Sequence, residues 1–359
     1  MLEFEVDFAD TLIDIDRKLT LKGAPAQAEL IIQTKTERAG QIWRSQITVQ
    51  ADADGCVDLT QAVPLAGSYA DKSAMGLWYT QRAENAAAVD LFPASVHHAL
   101  HTEIEAQYAE QKAQTVVTQR LTHATVQRVE VNEPQFKGVL FVSGSSSAKP
   151  ALLLLKRNSS APLDEAQAAL FAARGYTALA LDYEHTPDIT VESAALEPFR
   201  AALQWLRDQT SPKNNFVGVC GYGEGAELAV LLGVKLNTEV SAVIACEPIA
   251  ATHGSYPLAV EDCLGPILLA SGQQHLGSDY QRAIGQRLQK YGFDYNFQWY
   301  NYEGVGAGLS FPHVPTLHHV DSSAEALVLA QANKDLWFAI IGFLHQAVIE
   351  AASPHQLNS

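Results

Sequence analysis

Asn215-Phe216-Val217-Gly218-Val219-Cys220-Gly221-Tyr222-Gly223-Glu224-Gly225-Ala226-Glu227-Leu228-Ala229-Val230-Leu231-Leu232 is the stretch that decides the fold of the second half of this chain. Its first six residues make a short, mostly apolar run, the pattern of a buried strand. From Ala226 the apolar residues fall at helical spacing. Between the two stand glycines at 221, 223 and 225. Glycine accepts left-handed backbone and lets two elements approach closely, so the stretch predicts a strand that turns sharply into a helix.

Outward from this turn the same grammar repeats. Ala151–Leu155 is a continuous apolar strand, followed by a helix from Asp164 to Arg174 that Gly175 closes. Tyr176–Leu181 is the next strand and Leu196–Asp208 an amphipathic helix. After the turn come strands at Val240–Cys246, Pro266–Gly272 and Phe297–Tyr300, and a closing helix from Ala324 to Ile349. Strands alternating with helices imply a mostly parallel sheet covered on both faces. The first third reads differently. Met1–Phe8 alternates apolar and acidic residues, Leu30–Lys35 and Ile42–Val49 are strand-like, and Asp52-Ala53-Asp54-Gly55 is a turn signal. Short strands with turns between them suggest a β-sandwich.

Composition narrows the function. The chain has 359 residues, 47% hydrophobic and 18% charged, with a formal net charge of -16. An acidic surface repels phosphate backbones and anionic lipid, which excludes nucleic acid and membrane surfaces as expected partners. No run reads as a signal peptide or a bilayer span. Cys56, Cys220, Cys246 and Cys263 are scattered without CxxC spacing, the pattern of free thiols in a reducing cytosol, so a cytoplasmic location is expected. His97 and His101 have i,i+4 spacing if helical, with His98 between them, but no acidic or cysteine ligand completes a recognised set; no metal and no cofactor is expected.

The glycine turn has the spacing of Gly-x-Ser-x-Gly, the nucleophile elbow of α/β-hydrolases. With Asp54-Gly55-Cys56-Val57-Asp58-Leu59, Pro64-Leu65-Ala66-Gly67-Ser68-Tyr69, Met75-Gly76-Leu77-Trp78, Gly265–Gly272 and Tyr302-Glu303-Gly304-Val305-Gly306-Ala307, the chain resembles the acyl-CoA thioesterase / bile acid-CoA:amino acid N-acyltransferase family. The resemblance implies an α/β protein. An immunoglobulin-like β-sandwich would occupy about residues 1–125, followed by a short linker and an α/β-hydrolase domain over about 135–352.

The same resemblance implies a catalytic triad, and here the chain departs from it. Where the family places Ser or Cys at the elbow, this chain has Gly223; near the family's acid stand Gln274 and His275; in register with the family's His stands Ala307. The loop that is glycine-rich in the family is Lys156-Arg157-Asn158-Ser159-Ser160, whose two cations would suit a carboxylate or phosphate. In such a triad the nucleophile attacks, the His moves a proton and the acid fixes the His tautomer. Glycine cannot attack and alanine cannot move a proton. The expectation is a degenerate family member, a binding or accessory protein for an acyl thioester, an acyl carrier or a partner protein. The alternative is an enzyme with rearranged residues, using Cys220 with His313, His318 or His319, or acid–base chemistry without a covalent intermediate. A third is a structural subunit whose interface uses the former active-site face. Asp182-Tyr183-Glu184-His185 follows a strand at the edge where such enzymes place site loops. Gly223 should keep the turn, leaving the following helix to present its N-terminal N–H groups to the cleft.

Overall fold

The computed structural model describes residues 1–85, 90–155, 161–182, 196–248 and 258–352. Two compact units divide the chain: Met1–His123 with Ser310–Lys334, and Ala124–Leu309 with Asp335–Ser359.

The first unit is β-rich. It contains β1 (Glu3–Asp7), β2 (Asp10–Leu12), β3 (Lys18–Lys22), β4 (Glu29–Arg38), β5 (Gln41–Gln50), β6 (Val57–Asp58), β7 (Ala66–Gly67), a one-turn α1 (Gly76–Tyr79), β8 (Arg82–Ala83), β9 (Leu100–Tyr108) and β10 (Gln111–Arg120). One sheet has the order β1-β3-β6; the other runs β2-β10-β9-β4-β5-β7, with β8 also on β5. β4 and β5 alternate buried and exposed residues along ten residues each, as a half-buried antiparallel pair requires. The core gathers Leu19, Leu21, Leu30, Ile32, Ile47, Val49, Trp78 and Ile104, joined by Leu317 and Ala326 from the later segment.

Those last two residues explain why the units are not the two contiguous ranges that the sequence suggests. Thr316 donates its N–H to Tyr79 O at 2.9 Å, and Leu317 and Ala326 are buried in the first core, so 310–334 groups with the first unit. The expected linker also gives way. Val126–Asn132 is a strand, β11, that pairs with β12 (Lys137–Ser143) as a hairpin.

The second unit continues with β13 (Ala151–Leu155), α2 (Ala161–Ala173), β14 (Thr177–Asp182), α3 (Glu197–Thr210), β15 (Val217–Tyr222), α4 (Glu224–Lys235), β16 (Ala242–Cys246), β17 (Ile267–Gly272), α5 (Ser278–Tyr291), β18 (Phe297–Tyr302) and α6 (Ser323–Glu350), whose first turns belong to the first unit. The eight strands lie in the order β11-β12-β14-β13-β15-β16-β17-β18. The pairs β11–β12 and β12–β14 are antiparallel and the other five neighbouring pairs are parallel, so the expected mostly parallel sheet is present. Its central strands β13, β15, β16 and β17 are buried throughout, which is why they read as unbroken apolar runs. α5, not among the expected helices, buries Tyr280, Ile284 and Leu288 at helical spacing, and Gly292 ends it at φ 66°. One expectation is revised. α6 is, by length and composition, apolar enough to cross a membrane, with mean hydropathy 1.3 over its most apolar stretch and 44% of that stretch buried in the fold.

Candidate functional site

The expected turn is present. β15 ends at Tyr222, Gly223 takes φ 58° and ψ -121°, and α4 begins at Glu224. Few side chains tolerate that backbone, and glycine does so without strain. Gly223 N–H donates to Cys246 O at 2.9 Å, which fixes the apex to the end of β16. The flanking glycines have steric reasons. A Cβ on Gly221 would lie 2.0 Å from Gly225 O, and one on Gly225 would lie 2.6 Å from Leu155 O, where the turn crosses the end of β13. Backbone atoms cannot yield at such distances, so both positions require glycine.

Two further strand ends meet at the same edge of the sheet. Gln273 N–H donates to Tyr302 O at 2.9 Å and Gln274 N–H to Val305 O at 3.1 Å, so the loop after β17 lies against the loop after β18. A Cβ on Gly272 would meet Val305 O at 2.2 Å, which makes this close approach possible only for glycine. Gln274, His275 and Ala307, noted in the sequence for different reasons, therefore stand on two adjoining loops at the carboxyl edge of the sheet, where ligands of α/β folds bind. Gln274 and Ala307 are exposed. His275 is half-buried, and its Nδ1 accepts the Gly277 N–H at 3.0 Å, which spends one ring nitrogen on its own loop.

Two carboxylates escape a reading by motif. Glu247, the residue after β16, is buried and has φ 54°. Its Oε1 accepts the N–H groups of Gly308 at 2.7 Å and Leu309 at 2.9 Å, and its own N–H donates to Ala270 O at 2.7 Å. It ties the loop of Ala307 to the strand end that also anchors Gly223. A charged residue directly after a buried parallel strand is the signal that could have found it. Glu227 is half-buried in the first turns of α4. Burial, helped by the neighbouring charge of Glu224, pushes its carboxyl up to about 7.

The other residues singled out in the sequence lie elsewhere. Cys220 is inside β15, buried, three residues before the apex; a strand side chain points to a sheet face and not over the strand's end. His313, His318 and His319 belong to the first unit. His313 is buried at φ 57°, with Nε2 2.9 Å from Asp16 Oδ1, and Lys334 pairs with the same carboxylate. His313 and Lys334 hold Asp16 far below the usual carboxylate range, while burial lowers His313 against the pull of Asp16. His318 packs edge-on to Trp43, and burial with the adjacent His319 brings it down to about 4. His101 lies on strand β9, not on a helix, so its i,i+4 spacing to His97 carries no ligand geometry; its Nδ1 lies 3.0 Å from Thr118 Oγ1. Among the described residues no group of three His, Cys, Asp or Glu is placed to hold a metal ion. Lys156–Ser160 and Tyr183–His185 fall outside the described residues.

Comparison with known proteins covers both units. Residues 14–133 match the acyl-CoA thioester hydrolase/BAAT N-terminal region, and residues 169–347 match the dienelactone hydrolase family. The chain is 25% identical over 280 residues to acyl-coenzyme A thioesterase 2, mitochondrial, of Rattus norvegicus, covering 76% of this chain and 61% of that protein. It is also 25% identical over 280 residues to acyl-coenzyme A thioesterase 1 of Rattus norvegicus, covering 76% and 66%. The chain thus spans about three fifths of the length of the mitochondrial relative it matches. Among solved structures, the α/β-hydrolase enzyme MGS-M1 from a Medee basin deep-sea metagenome library superposes at a TM-score of 0.51 with 16% identity, covering 63% of this chain and all of that one, a likeness of fold. With the N-terminal match and the α/β-hydrolase sheet with its glycine turn, the chain is similar to acyl-CoA thioesterases in its first part and to dienelactone hydrolases in its second.

Proposed function

We propose that this chain binds an acyl thioester, or the acyl group of a carrier or partner protein, at the elbow without forming a covalent acyl-enzyme. The observation that carries the reading is Gly223 at the apex, φ 58° and ψ -121°, in the place where a nucleophile would project. The N–H groups at the start of α4 still suit a carbonyl or an anion. With Ala307 on the loop after β18, there is no imidazole at that position to take a proton. An intact triad contributes on the order of a millionfold in rate, so its absence leaves binding as the retained property.

The test compares acyl-CoA binding with acyl-CoA hydrolysis. The wild-type chain should bind a non-hydrolysable acyl-CoA thioether and turn over acyl-CoA at background. Gly223→Ser should fold, at a strain cost of about 1–3 kcal/mol, and still hydrolyse at background. Adding Gln274→Asp and Ala307→His to it should raise the rate by orders of magnitude. Wild-type turnover typical of a thioesterase, or full recovery by Gly223→Ser alone, would overturn the reading.

A second reading has one observation in its favour. Glu227, pushed up to about 7, is matched to proton transfer near neutrality, as non-covalent acid–base chemistry would need. If that chemistry operates, wild-type hydrolysis is measurable and Glu227→Gln abolishes it.

A further inference from the structure

Within the first unit a cation is buried without a counter-charge. Arg38, the last residue of β4, is fully enclosed, and no Asp or Glu among the described residues pairs with it. Removing a guanidinium from water costs several kcal/mol unless an opposite charge or a full set of acceptors replaces the water. Two acceptors are present. Gln81 Oε1 accepts from Arg38 Nε at 3.3 Å, and Leu91 O accepts from Nη1 at 3.3 Å. Nη2 has no partner.

The guanidinium is held in place from the other side. Gln81 Nε2 donates to Thr36 Oγ1 at 2.8 Å and to Thr34 Oγ1 at 3.2 Å, which turns the carboxamide oxygen toward Arg38. Thr36 Oγ1 is 2.8 Å from Thr102 Oγ1, and Thr34 Oγ1 is 2.6 Å from Ser45 Oγ. This chain of fixed partners costs nothing to reorganise, the condition under which buried donors bind strongly.

Gln119 supplies a second, independent orphan. It is fully buried on β10, and among the described residues neither its Oε1 nor its Nε2 has a partner. The register places the two in one row of the sheet, one strand on either side of β9. β4 pairs Thr36 with Thr102 and β9 pairs Leu100 with Gln119, so Arg38 and Gln119 flank Leu100 on the inner face of the same sheet. Buried polar groups in folded proteins are nearly always satisfied, and a cation and a carboxamide, both unsatisfied among the described residues and on either side of Leu100 in one row, point to a missing occupant.

We propose that Arg38 Nη2 and the Gln119 carboxamide N–H hold a small monoanion, a halide or a carboxylate, inside the first unit. The charge of Arg38 selects an anion over water, and Gln119 adds one further donor. Nothing in this proposal depends on chemistry at the elbow.

Bromide and acetate are the probes, because they separate a halide site from a carboxylate site. The full chain, exchanged into a bulky sulfonate salt at fixed ionic strength, is titrated with each. A saturable rise in Tm of about 3 °C is expected with at least one of them. Gln119→Leu should weaken that binding about tenfold, and Arg38→Met should abolish the response. A bromide-soaked crystal should show an anomalous peak within hydrogen-bond reach of Arg38 Nη2. That crystal result stands even where Arg38→Met fails to fold. A Tm response unchanged in Gln119→Leu, or density at Nη2 that is water alone in the bromide soak, would overturn the proposal.

Discussion

The elbow at Gly221–Gly225 and the loop at Val305–Leu309 both border the candidate site, and they are held by opposite means. The elbow is fixed by the absence of atoms: any Cβ on Gly221 or Gly225 would collide with backbone. The loop is fixed by the presence of one group, the Glu247 carboxylate, which accepts two of its N–H groups. A steric requirement is visible in the sequence, since only glycine meets it and the glycines are evenly spaced. A hydrogen-bonded requirement is invisible there, since the donor and acceptor lie about sixty residues apart. Both regions hold their backbone, while the residues at the positions of interest, Gly223 and Ala307, carry no reactive side chain. On the reading proposed above, scaffold and chemistry are separable at this site.

The strongest way to break this comparison is at the elbow. Gly221→Ala places a methyl 2.0 Å from Gly225 O and 2.3 Å from its carbonyl carbon, inside the turn itself. Neither atom belongs to a flexible side chain, so β15 and α4 must separate. A loss of about 4 kcal/mol is expected in urea unfolding, at the upper end for overpacking because the obstacle is backbone. A loss below about 1 kcal/mol would mean that the elbow does not need its glycines.

The loop should respond less and more selectively. Glu247→Ala leaves the Gly308 and Leu309 N–H groups without their acceptor in a buried place, and about 2 kcal/mol is expected. Glu247→Gln keeps an oxygen acceptor and loses the charge, so about half of that cost should return. Amide exchange at Gly308 and Leu309 is the sharper measurement. It should accelerate in Glu247→Ala with little change in the core strands. Uniform acceleration throughout the second unit would make Glu247 a general stability residue and not the clamp of this loop.

What the sequence made legible follows the same division. The elbow, the buried runs of β13, β15, β16 and β17 and the family resemblance all rest on local spacing, and the structure contains each of them. Gln274 and Ala307 were found through the resemblance, and their loops do adjoin. The misses depend on distant contacts. β11 sits where a linker was expected because its partner hairpin strand, not its own composition, draws it into the sheet. Residues 310–334 group with the first unit because Thr316, Leu317 and Ala326 find partners there. Arg38 carries no sequence signal of its own, and the fold buries it with no Asp or Glu paired to it among the described residues.

The last test concerns the electrostatics of the elbow helix, where half-exposure screens the effect. Glu227 stands in the first turns of α4, where a helix N-terminus favours a carboxylate, yet burial and the charge of Glu224 push it from 4.5 up to about 7. The folded protein therefore holds this proton more tightly than the unfolded chain does. That contribution is fully present below about pH 4.5 and is lost as the pH rises through about 7. Glu227→Gln keeps a neutral side chain of the same shape at every pH. Relative to this variant, the wild-type protein should lose stability between pH 4.5 and 7 and run parallel to it above that window. Urea unfolding of both proteins at intervals across the range reads the difference directly. Glu224→Gln should move the wild-type midpoint downward, because it removes the smaller of the two causes and leaves burial in place. Parallel profiles for wild type and Glu227→Gln across the whole range would show that Glu227 titrates as an ordinary exposed carboxylate. The acid–base reading of the elbow would then lose its only support.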